Sequence, residues 1–221
     1  MAYYVPVMLD LHGRRCVIVG GGHVAERKVS SLVDAGAEIV VISPEMTETL
    51  RHRYKEGRLL WMNRNYQRGD LNEAFLVFAA TNQAEINDAV VQEANYLNIP
   101  VNHTGDGEKG SFITPSVLRR KELVVAVSTS GAGPGASRDL CRTINEHYGD
   151  DYEMYIHFLS SVRSEVKRMV HHEGLRKKIF RLLSELDILS QISAGTFHNW
   201  DQDMIRCWIE EVIAEHQEEM R

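Results

Sequence analysis

Residues 15–25 read RCVIVGGGHVA: a four-residue apolar run, Cys16 to Val19, stops at Gly20, Gly21 and Gly22, and Ala25 follows. Apolar, mostly β-branched residues ending at a glycine cluster describe a buried parallel strand entering a tight turn. The segment after it, His23 to Leu32, has helical composition and ends near Gly36. Within that strand-turn-helix context Gly20, Gly22 and Ala25 stand at the spacing G-x-G-x-x-A of a dinucleotide site. Gly20 makes the turn, Gly22 admits a pyrophosphate close to backbone, and Ala25 lets helix pack on strand. The amides of His23, Val24 and Ala25 then lie at the positive end of the helix, where phosphate is favoured. The competing reading is a tight turn that binds nothing.

Outward from this stretch, Glu38 to Ser43 (EIVVIS) is a second buried strand, and a polar helix is expected from Pro44-Glu45 to about Glu56. That completes a βαβ unit. Dinucleotide folds usually end the second strand in a carboxylate that holds the ribose hydroxyls. Here Ser43-Pro44 occupies that place, so the Ser43 hydroxyl is the expected ribose contact. No arginine follows to welcome a 2′-phosphate, and NAD is expected over NADP. Further strands are predicted over Leu59–Met62, Phe75–Ala80 and Ile99–Val101, with a helix over Ala84–Leu97. Thr81 and Asn82, just past a strand, either touch the cofactor or cap that helix. Upstream, residues 3–9 (YYVPVML) read as an edge segment, since Pro6 argues against a central strand.

Past the polar loop Asn102–Gly110 (NHTGDGEKG) the alternation changes. Phe112–Leu118 and Leu123–Val127 read as a hairpin joined by Arg119-Arg120-Lys121-Glu122, and a small-residue loop, STSGAGPGAS, precedes a helix beyond Pro134 that carries Arg138 and Arg142. From Tyr152 onward apolar residues recur at helical spacing only.

With 221 residues the chain holds a sizeable core, and a net charge of −6 lacks the basic excess that nucleic-acid binding needs. No run approaches a membrane span and the first residues lack a secretory pattern, so a cytoplasmic protein is expected. Cys16, Cys141 and Cys207 are widely spaced and read as reduced thiols; His171-His172 lacks a third ligand, and no metal site is expected.

Several separate stretches share one resemblance. P-V-M-L-D-L, V-I-V-G-G-G-H-V-A-E-R-K, A-A-T-N, V-N-H-T-G-D-G, S-F-I-T-P-S and V-A-V-S-T-S-G follow one another from Pro6 to about Arg142, and in this the chain resembles the precorrin-2 dehydrogenase family of siroheme biosynthesis, which includes the N-terminal half of siroheme synthase. The resemblance implies an α/β fold. A Rossmann-type NAD domain (1–112) would be followed by a hairpin-containing dimerisation segment (113–150) and a small all-helical domain (151–221). It implies a homodimer that oxidises precorrin-2 to sirohydrochlorin with NAD as hydride acceptor, and some members also insert ferrous iron.

Such oxidation transfers a hydride to nicotinamide and a proton to a base. Asp106, on a glycine-flanked loop after the fifth strand, is the candidate base, although an Asp-Gly turn would explain it too. The family pattern sets an aspartate directly after N-V-V or N-V-A, whereas this chain has Gly105 there and the aspartate one residue later. His103 is the second candidate. The many carboxylates of the substrate call for cations, and Arg119, Arg120 and Arg138 are the choice, with Ser128, Thr129 and Ser130 as site-lining residues by resemblance. Two alternatives stay open: a bifunctional dehydrogenase/ferrochelatase, and an NAD-sensing regulatory module on the same fold.

Overall fold

The computed structural model describes residues 4–219. They divide into two compact units, one running to Thr114 with Ser130–Ala132 and one comprising Pro115–Thr129 with the residues from Gly133 onward.

The first unit alternates strand and helix: β1 (Arg15–Val19), α1 (His23–Asp34), β2 (Glu38–Ile42), α2 (Glu48–Lys55), β3 (Leu60–Met62), β4 (Leu76–Ala79), α3 (Ala84–Tyr96) and β5 (Val101–His103). All strands pair in parallel in the order β3-β2-β1-β4-β5, with Val17 opposite Val40 on one side and Val77 on the other. The order reverses at β1, which opens a crevice at the carboxyl ends of β1 and β4. Successive side chains of β1 point to opposite faces. Cys16 and Ile18 pack with Ala25, Val29 and Leu32 of α1 and Leu50 of α2, while Val17 and Val19 pack with Val90, Val91 and Ala94 of α3. Both faces are covered, which is why β1, β2 and β4 read as unbroken apolar runs. Burial pushes the Cys16 thiol up to about 11, so it stays an inert core residue.

Four expectations shift. Residues 4–10 form no strand, and Val5, Val7 and Met8 are exposed. The second helix begins at Glu48, because the Thr47 hydroxyl caps it by accepting the Leu50 N–H at 3.3 Å and Pro44–Met46 stay loop. The fifth strand starts at Val101: Asn98 has φ +55°, and the Ile99 N–H closes α3 on the Ala94 carbonyl at 2.8 Å. Ile99 is thus spent on a helix end. Phe112 belongs to no strand and packs edge-on against Phe78, ring centroids 5.5 Å apart.

In the second unit β6 (Ser116–Arg120) and β7 (Leu123–Val127) pair antiparallel around a Lys121-Glu122 turn. Lys121 has φ +45°, the left-handed geometry that matches strand twist in a two-residue hairpin. Arg119 and Arg120 therefore lie in the strand and not in the turn. The helices α4 (Pro134–His147), α5 (Asp150–Met169), α6 (Glu173–Glu185), α7 (Ile188–Ser193) and α8 (Gln202–Glu219) follow. Val162, Ile179 and Ile209 are wholly buried at the centre of the last four, which confirms the helical stripes read from the sequence. Among the described residues no helix is long and apolar enough to cross a membrane.

Candidate functional site

Each strand of the first unit delivers a loop to the same carboxyl edge of the sheet, and there the three glycines have three separate reasons to be glycine. Gly20 has φ +124°, and a Cβ on it would stand 2.3 Å from the Ala80 carbonyl oxygen. Gly21 would drive a Cβ to 2.0 Å from the Glu45 carbonyl oxygen and 2.9 Å from Ser43 Oγ, because the Ser43–Thr47 loop crosses it, with the Thr47 N–H on the Gly21 carbonyl at 3.0 Å. A Cβ on Gly22 would face open space, with nothing within 4 Å of it. Gly22 is the N-cap of α1, and no side chain caps the helix. The amides of the first turn, at His23, Val24 and Ala25, therefore meet that open space with the positive helix end behind them. An uncapped turn beneath a glycine with room in front of it fits a pyrophosphate.

The neighbouring loops are held rigidly. Ser43 is buried at the end of β2, and its carbonyl accepts the Trp61 indole N–H at 2.9 Å; Pro44 beside it is exposed. The Thr47 hydroxyl donates to Glu26 at 2.8 Å, which ties this loop to α1. After β4, Thr81 is clasped by Asn87: its N–H meets Asn87 Oδ1 at 3.0 Å and its carbonyl accepts from Asn87 Nδ2 at 3.0 Å. Its hydroxyl accepts the Gln83 N–H at 3.1 Å. Asn82 caps nothing, since the N-cap of α3 is Gln83. Sequence reasoning missed both Gly21 and Asn87. A third consecutive glycine was the available signal for the first; nothing local marks the second.

After β5 the chain turns through Thr104–Gly110. The Thr104 N–H and hydroxyl both reach the Ala79 carbonyl at 3.0 Å, and at the far end Ser111 N–H returns to the Val101 carbonyl at 2.8 Å. Gly110 is required there, because a Cβ would come 2.8 Å from the Val101 oxygen. Asp106 is exposed, and its Oδ1 accepts the Glu108 N–H at 3.1 Å. His103 is buried; its Nδ1 accepts the amides of Asp106 at 2.8 Å and Gly105 at 3.2 Å. Lys109 clamps the loop to α3 through Asp88, at 2.6 and 2.8 Å, and this bond holds the Lys109 pKa above its ordinary value.

Gly20, Gly22, Ser43, Thr81, His103 and Asp106 thus share one sheet edge. Lys28, part of the glycine motif, is turned away: it bonds the Thr114 hydroxyl and lies over the Phe78 ring, and burial lowers its amine to about 8. The candidate substrate residues lie elsewhere in the chain. Arg119 is exposed on β6 and Arg138 is exposed on α4. Arg120 is engaged within the second unit, donating to Asn145 Oδ1 at 3.0 Å and to Asp150 at 3.0 Å, where it fastens the hairpin to the helices. Thr129 closes its loop on Gly133, while Ser128 and Ser130 are exposed and Ser130 has φ +51°. Among the described residues no group of three or more His, Cys, Asp and Glu side chains is arranged to hold a metal ion.

Comparison with known proteins agrees with this geometry. A family described as "Putative NAD(P)-binding" matches residues 7–116. The siroheme synthase of Methylobacillus flagellatus is 39% identical over 176 residues, 80% of this chain and 38% of that protein. That of Nitrosospira multiformis is 32% identical over 220 residues, 98% of this chain and 46% of that protein. The chain thus spans less than half the length of these relatives. The solved structure of "SirC, precorrin-2 dehydrogenase" superposes with a TM-score of 0.73 at 24% identity, covering 96% of this chain and 100% of that one, and it shares the fold. The family match supports an NAD(P) dinucleotide at this turn. The glycine turn, the reversed strand order and the relatives converge: the chain belongs to the precorrin-2 dehydrogenase/siroheme synthase N-terminal family.

Proposed function

We propose that this chain oxidises precorrin-2 to sirohydrochlorin in the cytoplasm, acting as a homodimer. The observation that supports this most is the position of the Asp106 loop, at the carboxyl end of β5, on the sheet edge that also carries the open turn at Gly22. A bound NAD supplies the hydride acceptor. Everything else falls to the chain. The uncapped amides of α1 hold the pyrophosphate, and Ser43 and Thr81, fixed from behind by the Gly21 contact and by Asn87, line the nucleotide. One ring C–H bond breaks with its electron pair, leaving as hydride, and Asp106 takes the proton from a second ring C–H or N–H whose electrons stay behind in the new double bond. Asp106 suits this task because it is exposed while its backbone is pinned by His103 and its Oδ1 by the Glu108 amide. Ser128, Thr129, Ser130, Arg119 and Arg138 meet the substrate carboxylates, and Arg120 shapes the hairpin that carries Arg119.

The test is Asp106→Asn under anaerobic, metal-free conditions, with sirohydrochlorin followed spectrally. The variant binds NAD as the parent does and loses turnover by about 10²–10⁴-fold, the range for removal of a general base. Normal turnover by that variant removes Asp106 from the chemistry. No NAD-dependent product from the unaltered protein overturns the reading as a whole.

A further inference from the structure

We propose that His103 is a positioning residue, the internal template on which the Asp106 loop is folded, and not an acid or base for the substrate. The inference rests on the reading of Asp106 as the base. Two backbone amides, from the residues two and three positions ahead, donate to a single ring nitrogen, Nδ1, at 3.2 and 2.8 Å. A nitrogen that accepts twice carries no proton, so the ring is the neutral tautomer with its hydrogen on Nε2. The side chain is buried, and Nε2 is sequestered from water without a hydrogen-bond partner, with Asp88 Oδ1 3.7 Å away. The charged group facing it is Asp88 from α3, which is itself paired with Lys109 of the loop at 2.6 Å. A ring buried on one side and saturated on the other has no lone pair to offer a substrate. It does the work that an Asx motif does with a shorter side chain, in which one acceptor gathers the amides at i+2 and i+3.

That equivalence supplies the test. Asparagine at position 103 places a carbonyl oxygen where Nδ1 stands, and leucine offers none. In the unaltered protein, nitrogen NMR of the His103 ring finds Nδ1 unprotonated and Nε2 protonated. His103→Asn retains turnover within about threefold and keeps the Gly105 and Asp106 amides protected from hydrogen exchange. His103→Leu accelerates exchange at those two amides and lowers kcat by about 10–100-fold, the scale of a displaced catalytic group. Its affinity for NAD, measured by calorimetry, stays within about twofold. A protonated Nδ1, or equal losses in the asparagine and leucine variants, overturns the proposal. Should Asp106→Asn stay fully active while His103→Leu still frees the amides, the assignment of the base fails and the template role of His103 stands.

Discussion

The parallel sheet and the β6–β7 hairpin both carry apolar strand residues, yet they bury them to opposite degrees. In β1, β2 and β4 nearly every side chain is sealed, with helices on both faces. In β6, β7 and α4 Ser137 alone is buried among the described side chains, while Val117 and Leu140 remain half exposed. A parallel strand needs a crossover helix to reach its neighbour and so brings its own cover, whereas a hairpin closes through two residues and brings none. The hairpin is held to α4 through Arg120 and Asn145, yet its remaining side chains stay partly exposed and leave room for a further layer. A second copy of the chain is the proposed source.

The contrast can be broken from either side. In the sealed unit, Gly21→Ala forces a Cβ onto the Glu45 carbonyl at 2.0 Å, and urea unfolding is expected to show a loss of about 3 kcal/mol, near the upper end for overpacking. Gly22→Ala, with open space before it, is expected to change stability by less than about 0.5 kcal/mol while weakening NAD binding. Stability and ligand affinity thus separate across one peptide bond. In the open layer, Val117→Asp is expected to weaken dimerisation by about 30-fold in sedimentation equilibrium, the effect of losing one central apolar contact of about 2 kcal/mol.

The helical unit supplies a smaller, pH-dependent case. Arg168 and Arg206 bond the buried Glu165 carboxylate at 3.0 and 2.7 Å and lower its pKa from 4.5 to about 2. A carboxylate depressed in this way contributes stability that is present above pH 4.5 and disappears as the pH falls towards 2. Glu165→Gln is expected to cost about 1.5–3 kcal/mol at neutral pH and to flatten that acid dependence in thermal melts. Lys109→Ala removes an exposed ion pair with Asp88 and is expected to cost only about 0.2–1 kcal/mol, a loss that shrinks in high salt.

Much of the cofactor half was legible in the sequence because its determinants are local. An apolar run ending in Gly20 specifies strand and turn, and Ala25, Val29 and Leu32 specify the face of α1 that packs on the sheet. The candidate site was legible as positions but not as contacts. Ile99 looked like a strand residue because it is β-branched and apolar; only its bond to the Ala94 carbonyl assigns it to a helix end. Asp106 was recognisable as a polar residue in a glycine loop, but the two amides that the histidine beneath it accepts are visible only in the structure. The sequence by itself determined the α/β class, the dinucleotide turn and the helical remainder, all of which follow from periodicity and from glycine spacing. Only the tertiary structure decided why Gly21 has no side chain, how Asn87 clasps Thr81 and what His103 holds. Gly21 meets a partner distant in sequence, the Glu45 carbonyl, whereas Asn87 and His103 reach backbone groups six and two to three residues away; those two contacts depend on the loop conformation that the flanking strands impose, which residue types alone do not specify.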